Sequence, residues 1–108
     1  MNKGWVLIHR SIWDSPLWFA EPFTKGQAWV DLILLANHDT IKLNKHGIFV
    51  TIKRGEVGYS EESLAKRWTW SRGKVRRYLF LLETVQQIVH QKNHTLSRII
   101  IQNYEQIS

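Results

Sequence analysis

Four cations fall within six residues, Arg72-Gly73-Lys74-Val75-Arg76-Arg77, with no acid between them. A face built for i,i+4 ion pairs would interleave the two signs. At about 100° per residue on a helical wheel, Val75, Tyr78, Leu79 and Leu82 share one side. Gly73, Arg76, Arg77, Phe80 and, toward one edge, Lys74 share the other. Ser71 stands where a helix N-cap belongs, so the cationic face opens at a helix N-terminus. Unpaired backbone N–H groups there favour phosphate. Arginine reads guanine bidentately or holds phosphate. Gly73, without a side chain, lets backbone approach another surface. The chemistry implied is nucleic-acid binding. The alternative is a cluster that only keeps a helix soluble.

Other chemistry finds little footing. The chain has no Cys, which excludes disulfides, cysteine-based zinc sites and thiol catalysis. It lacks a Gly-rich phosphate loop ending in Lys-Ser/Thr and a Gly-x-Ser-x-Gly elbow. The five histidines are scattered. His38-Asp39 has no second cluster at ligand spacing, so His38 reads as a polar helix-end residue. Glu61 and Glu62 are adjacent and project in different directions, as helix-start charges do. The expectation is a protein that is not an enzyme and needs no metal or cofactor.

The whole chain gives this cluster its setting. Its 108 residues, 44% apolar and 22% charged, fit one domain spanning 1–108. Six Trp, four Phe and three Tyr argue against disorder. Net charge is +6 and the pI about 9.9, which suits an anionic partner. The charge is uneven: residues 66–98 hold eight Lys/Arg against Glu83 alone. No apolar run reaches membrane-spanning length and no secretory start is present, so a cytoplasmic protein without membrane contact is expected.

The elements that must position the cluster follow from periodicity and punctuation. Residues 1–23 read as an N-terminal extension with a short helix from Trp5 to Asp14, stopped by Ser15-Pro16; Val6-Leu7-Ile8 could equally open as a strand. Thr24 to His38 is the clearest helix, with Thr24 and Gln27 as a capping box. Its body, Ala28 to Ala36, is apolar almost all round apart from Asp31. It is therefore central to the domain or the face of a second subunit. Ile48–Ile52 and Val57–Tyr59 read as a hairpin across Lys53-Arg54-Gly55-Glu56.

Ser60-Glu61-Glu62 opens a helix, Thr69-Trp70 breaks it, and a second helix runs from about Arg72 to Glu83. Residues 60–83 thus read as a helix-turn-helix. Trp68 is expected in the core, and Trp70 serves either the core or base stacking. Residues 86–102 follow as a wing hairpin, Ile88–His90 with Leu96–Ile101. Lys92 and Asn93 at its tip are candidate contacts, or simply polar. The expected fold is α+β, mainly helical with a small β part: a winged helix-turn-helix. Its second helix would enter double-stranded DNA. The site residues expected are Ser71, Arg72, Gly73, Lys74, Arg76, Arg77, Lys92 and Asn93.

Two runs carry a resemblance. One is Lys53-Arg54-Gly55-Glu56-Val57-Gly58-Tyr59-Ser60, followed by Leu64-Ala65-Lys66-Arg67-Trp68-Thr69-Trp70-Ser71-Arg72-Gly73-Lys74-Val75-Arg76-Arg77-Tyr78-Leu79. The other is Glu21 to Leu32 with Asn37-His38. Together with Gly4-Trp5 and Gln91-Lys92-Asn93, they resemble the N-terminal domain of phage replication initiators. These replisome organisers are akin to DnaD-like primosomal proteins. The resemblance implies a winged helix that binds origin DNA in the bacterial cytoplasm. Family members load the replicative helicase through a further C-terminal domain, which would lie beyond Ser108. The segment Glu83 to Ile88 departs from many winged helices in having no Gly at the helix end. The alternatives are a phage or bacterial transcriptional regulator using the same helix, and a winged-helix module that self-associates through Ala28–Ala36.

Overall fold

Two serine-capped helices in tandem set the framework. In this computed structural model, which describes residues 8–92 and 96–107, α1 spans Lys25–Leu35, α2 Glu61–Trp68, α3 Arg72–Thr84 and α4 Tyr104–Ile107. Strands β1 (Ile41–Lys45) and β2 (Ile48–Ile52) form one antiparallel sheet. Strands β3 (Glu56–Val57), β4 (Ile88–Lys92) and β5 (Ser97–Ile101) form a second, in the order β3-β5-β4. The architecture is α+β, with four helices and two small antiparallel sheets among the described residues. No helix there is long and apolar enough to cross a membrane. Trp5 to Leu7 and the tip residues Asn93, His94 and Thr95 lie outside the described residues.

The first helix expected from Trp5 is, where described, a 3-10 turn at Arg10–Asp14. Ser15-Pro16 ends it before an α-turn can propagate. It is docked rather than free. The Arg10 guanidinium donates to the carbonyls of Leu34 and Ala36 at 2.7 and 3.1 Å, satisfying the exposed end of α1. Thr24 caps α1 by accepting the Gln27 N–H at 3.1 Å. The Gln27 side chain does not close a capping box; it donates to the Trp18 carbonyl at 2.7 Å. Nor does α1 reach His38. Asn37 donates its N–H to the Glu56 carbonyl at 3.0 Å and accepts from Gly55 at 2.9 Å, so long-range backbone pairing draws the chain out of the helix.

The β2 partner also differs from expectation. β2 pairs with β1, Lys45 opposite Ile48, and not with Val57–Tyr59. His46 and Gly47 both have positive φ, 54° and 81°, which is the two-residue turn that matches strand twist. Lys53–Glu56 is a turn as read, but it carries the chain from one sheet to the other. β3 then joins β5, with Val57 opposite Ile99.

The core gathers Leu32 and Leu35 of α1, Leu64 and Trp68 of α2, Val75 and Leu79 of α3, and Val57, Ile88 and Ile99 of the sheet. Within α1, Ala28, Asp31, Leu32, Leu34 and Leu35 are buried in the chain, while Trp29, Val30 and Ile33 are half-buried. Asp31 is 0% exposed yet fully partnered. It accepts from Trp13 Nε1 at 2.9 Å, Trp68 Nε1 at 2.8 Å, and Arg67 Nε and Nη2 at 2.6 and 3.0 Å. Trp70 is buried as well, donating Nε1–H to the Phe23 carbonyl at 2.7 Å. It meets Trp68 and Tyr78 edge to face, so core packing claims the ring.

Both helix ends that frame α3 use left-handed residues other than Gly. Thr69 (φ 57°) ends α2, with Trp70 N–H bonded to the Ala65 carbonyl; Gln86 (φ 62°) follows α3, with Gln87 N–H bonded to Leu82. This is the closure that Gly usually provides. Thr69→Gly and Gln86→Gly should each stabilise the fold by about 0.5–1 kcal/mol, because the left-handed conformation penalises residues with a Cβ. Asp31→Ala should cost about 3–5 kcal/mol by stranding Arg67 and two indole N–H groups. Urea denaturation midpoints measure all three.

Candidate nucleic-acid interface

Two serines place the site. Ser60 Oγ accepts the Ser63 N–H at 3.0 Å and starts α2; Ser71 Oγ accepts the Lys74 N–H at 3.1 Å and starts α3. The Ser71 hydroxyl is therefore committed to a cap. First-turn N–H groups beyond it have no partner earlier in the helix. Val75, Tyr78, Leu79 and Leu82 are buried, as the wheel predicts, and Arg72, Arg76, Arg77 and Phe80 are exposed. The Tyr78 hydroxyl donates to the Lys25 carbonyl at 2.6 Å, and burial pushes its pKa up to about 12. That bond pins α3 to the start of α1 and fixes which face looks out.

The outward cations differ in what they touch. Lys74 Nζ sits 4.3 Å from the centroid of the Trp70 ring, a cation–π contact. Arg77 folds back over Gly73: a Cβ built at Gly73 would meet Arg77 Nη1 at 3.2 Å. Gly73 thus makes room for this guanidinium. Among the described residues, no acid pairs with Arg72, Lys74 or Arg77.

Arg76 and Lys92 are different. Both reach Glu61, at 3.5 and 3.1 Å. The Glu61 side chain is 6% exposed, while those of Arg76 and Lys92 are 60% and 52% exposed. One buried carboxylate therefore joins α2, α3 and β4 beneath two cations that stay half in solvent. Burial opposes the Glu61 charge, but the hydrogen bonds and charges of Lys92 and Arg76 outweigh it and hold the carboxyl below its ordinary range. Glu62 does behave as a helix-start charge, facing Lys66 at 3.6 Å. Glu61 is a helix-start charge as well, in the first turn of α2, and is in addition buried and paired with cations of α3 and β4. The signal was present: Glu61, Leu64, Ala65 and Trp68 follow the i, i+3, i+4, i+7 stripe of a buried helix face.

The hairpin expected as a wing lies against this helix. Ile88, His90 and Lys92 alternate along one face of β4, which brings Lys92 to Glu61. Glu83 Oε2 accepts the His90 backbone N–H at 3.1 Å, and the His90 ring contacts Ser97 Oγ at 3.2 Å. Burial and the nearby Lys92 push the His90 pKa below its usual value, against the opposing charges of Glu61 and Glu83. Glu61, Arg76, Phe80, Glu83, His90 and Lys92 line an open recess of about 300 Å³ between α3 and β4. Phe80, 70% exposed, stands at its side.

No family model, curated protein or solved structure matches this chain. The arrangement offers cations, backbone donors and an exposed ring on one helix. Among the described residues no three His, Asp or Glu gather as a metal site. Of the expected site residues, the structure groups Ser71, Arg72, Gly73, Lys74, Arg76 and Arg77 on α3 and brings Lys92 to them through Glu61. Asn93 lies outside the described residues.

The depressed Glu61 pKa makes a pH prediction. Its ion pairs stabilise the fold fully above the ordinary carboxylate value near 4.5 and lose that contribution as pH falls through the lowered value. A series of urea denaturations from pH 7 to 3 should show stability falling on acidification, with a smaller fall in Glu61→Gln.

Proposed function

We propose that this chain is a winged helix-turn-helix domain that binds double-stranded DNA through α3. The observation that carries the reading is the exposed cationic face of α3, opening at a serine-capped N-terminus. Arg72, Lys74 and Arg77 have no acidic partner there among the described residues. The order α1, β1–β2, β3, α2, α3, β4–β5 supports it further, since a β4–β5 hairpin directly follows the helix pair and β3 completes its sheet. A helix docked by its N-terminal residues in the major groove is the known geometry for this motif. The residues quoted for the resemblance extend the proposal: origin binding by a phage or prophage replication initiator, in the cytoplasm of the bacterial host. A helicase or its loader would then be engaged through a further C-terminal domain.

Self-association is the second reading, and a specific observation favours it. Phe49 and Ile48 on the β1–β2 hairpin are 73% and 55% exposed. The apolar body of α1, by contrast, has Ala28, Leu32, Leu34 and Leu35 buried inside the chain and its other apolar residues half-buried. A transcriptional regulator would use the same α3 face, and a stable dimer on a dyad-symmetric site would distinguish it.

The test is binding to a labelled duplex from the chain's own genomic neighbourhood, against a scrambled duplex, over a salt series. The proposal expects a preference for the first and a slope of log K on log salt of about −4 to −6, matching roughly five to seven phosphates. Arg76→Ala with Arg77→Ala should weaken binding by about tenfold or more and flatten that slope by about 1–2, with the circular dichroism melt retained. Unchanged affinity in the folded double variant would sink the interface.

A further inference from the structure

Glu61 is the one buried acid at the interface, and it takes up two of the cations that duplex DNA would meet. Its carboxylate is 6% exposed and fixed at the start of α2, one residue after the Ser60 cap. Arg76 touches it through Nη2 alone at 3.5 Å, the long limit of a hydrogen bond. A guanidinium has five N–H donors, so most of Arg76 is not committed to Glu61. Lys92 Nζ sits closer, at 3.1 Å. Glu83 and His90 line the same recess, but Glu83 accepts the His90 backbone N–H and the His90 ring contacts Ser97. The two cations and Glu61 together carry one net positive charge in place of two.

We propose that Glu61 is a specificity-determining residue of the DNA interface: it holds Arg76 and Lys92 as a part-neutralised pair that discriminates against loosely held phosphate. This rests on the reading of α3 as the DNA-binding helix. Non-specific binding draws its free energy from counterion release at free cations. A cation already facing a buried carboxylate contributes less, because phosphate must compete with that carboxylate. A docked specific duplex has the geometry to win the competition, since Arg76 donors remain open on the solvent side. The same carboxylate fixes the spacing between α3 and the β4 strand, so both cations arrive in register.

The experiment compares wild type, Glu61→Gln, Lys92→Gln, Glu61→Gln with Lys92→Gln, and Arg72→Ala with Arg77→Ala on specific and scrambled duplexes over a salt series. Glu61→Gln should raise scrambled-duplex affinity about eightfold near 0.1 M salt and steepen its slope by about one, as one extra cation would. Specific affinity should rise less, so the ratio of the two falls. A folded Glu61→Gln with unchanged scrambled-duplex affinity and slope overturns the inference. Adding Glu61→Gln to Lys92→Gln reads the same point where Glu61→Gln alone does not fold. The cluster then goes from no net charge to one positive charge, so scrambled-duplex affinity should rise about eightfold over Lys92→Gln, and equal affinity of the two variants overturns the inference. The Arg72 and Arg77 variant touches neither partner of Glu61. If it binds duplex as well as wild type does, the parent reading fails and this inference fails with it. If it binds more weakly, the outcome at Glu61 is judged alone.

Discussion

A single carboxylate organises the helical half of the molecule. Asp31 sits in the middle of an otherwise apolar helix, where an unpaired charge would be prohibitive. Its two oxygens instead accept four hydrogen bonds, from Trp13, Trp68 and twice from Arg67. These donors come from two places in the chain, the N-terminal turn and the end of α2. The N-terminal turn is drawn onto α1, and α2 is held against α1 by both Arg67 and Trp68. The Arg67 guanidinium then lies under the Trp13 and Phe19 rings, 4.8 and 5.1 Å from their centroids. With α2 fixed, the Thr69-Trp70 turn and the Tyr78 bond to Lys25 leave α3 one way to lie. Its cationic face then points outward, because its apolar face has nowhere else to go.

Much of this was legible from the sequence, and particular residues show why. Ser60, Ser71 and Thr24 act locally, through a side chain and an N–H three residues on, so the starts of α1, α2 and α3 could be read directly. The wheel for α3 held because four apolar side chains recur on one side. Pairing of strands was less legible. Ile48–Ile52 has two flanking turns: His46 and Gly47 are two consecutive positive-φ residues and close the hairpin, while the Lys53–Glu56 turn has one, Gly55, and leads to the other sheet. The end of α1 was illegible for a similar reason: Asn37 leaves the helix to bond with Gly55 and Glu56, contacts that no local pattern encodes.

The candidate interface divides the same way. That Arg72, Lys74, Arg76 and Arg77 cluster is a local fact. That Arg76 is shared with Glu61 and Lys92 requires α2, α3 and β4 to be assembled. Counting charges along the chain overstates the free positive charge of this surface, since two of its cations face one acid. The buried stripe through Glu61, Leu64, Ala65 and Trp68 was the only advance notice.

The lone acid between residues 66 and 98 has a different consequence. In the order β3-β5-β4, the strand β4 lies at an edge, and an edge strand offers a row of unmet backbone groups to any passing chain. Glu83 reaches from the end of α3 to take the His90 N–H at the middle of that strand. A second chain adding to β4 would have to displace a charged acceptor already held by a helix. The helix that presents cations outward thus also blunts the β4 edge of the sheet behind it against strand addition.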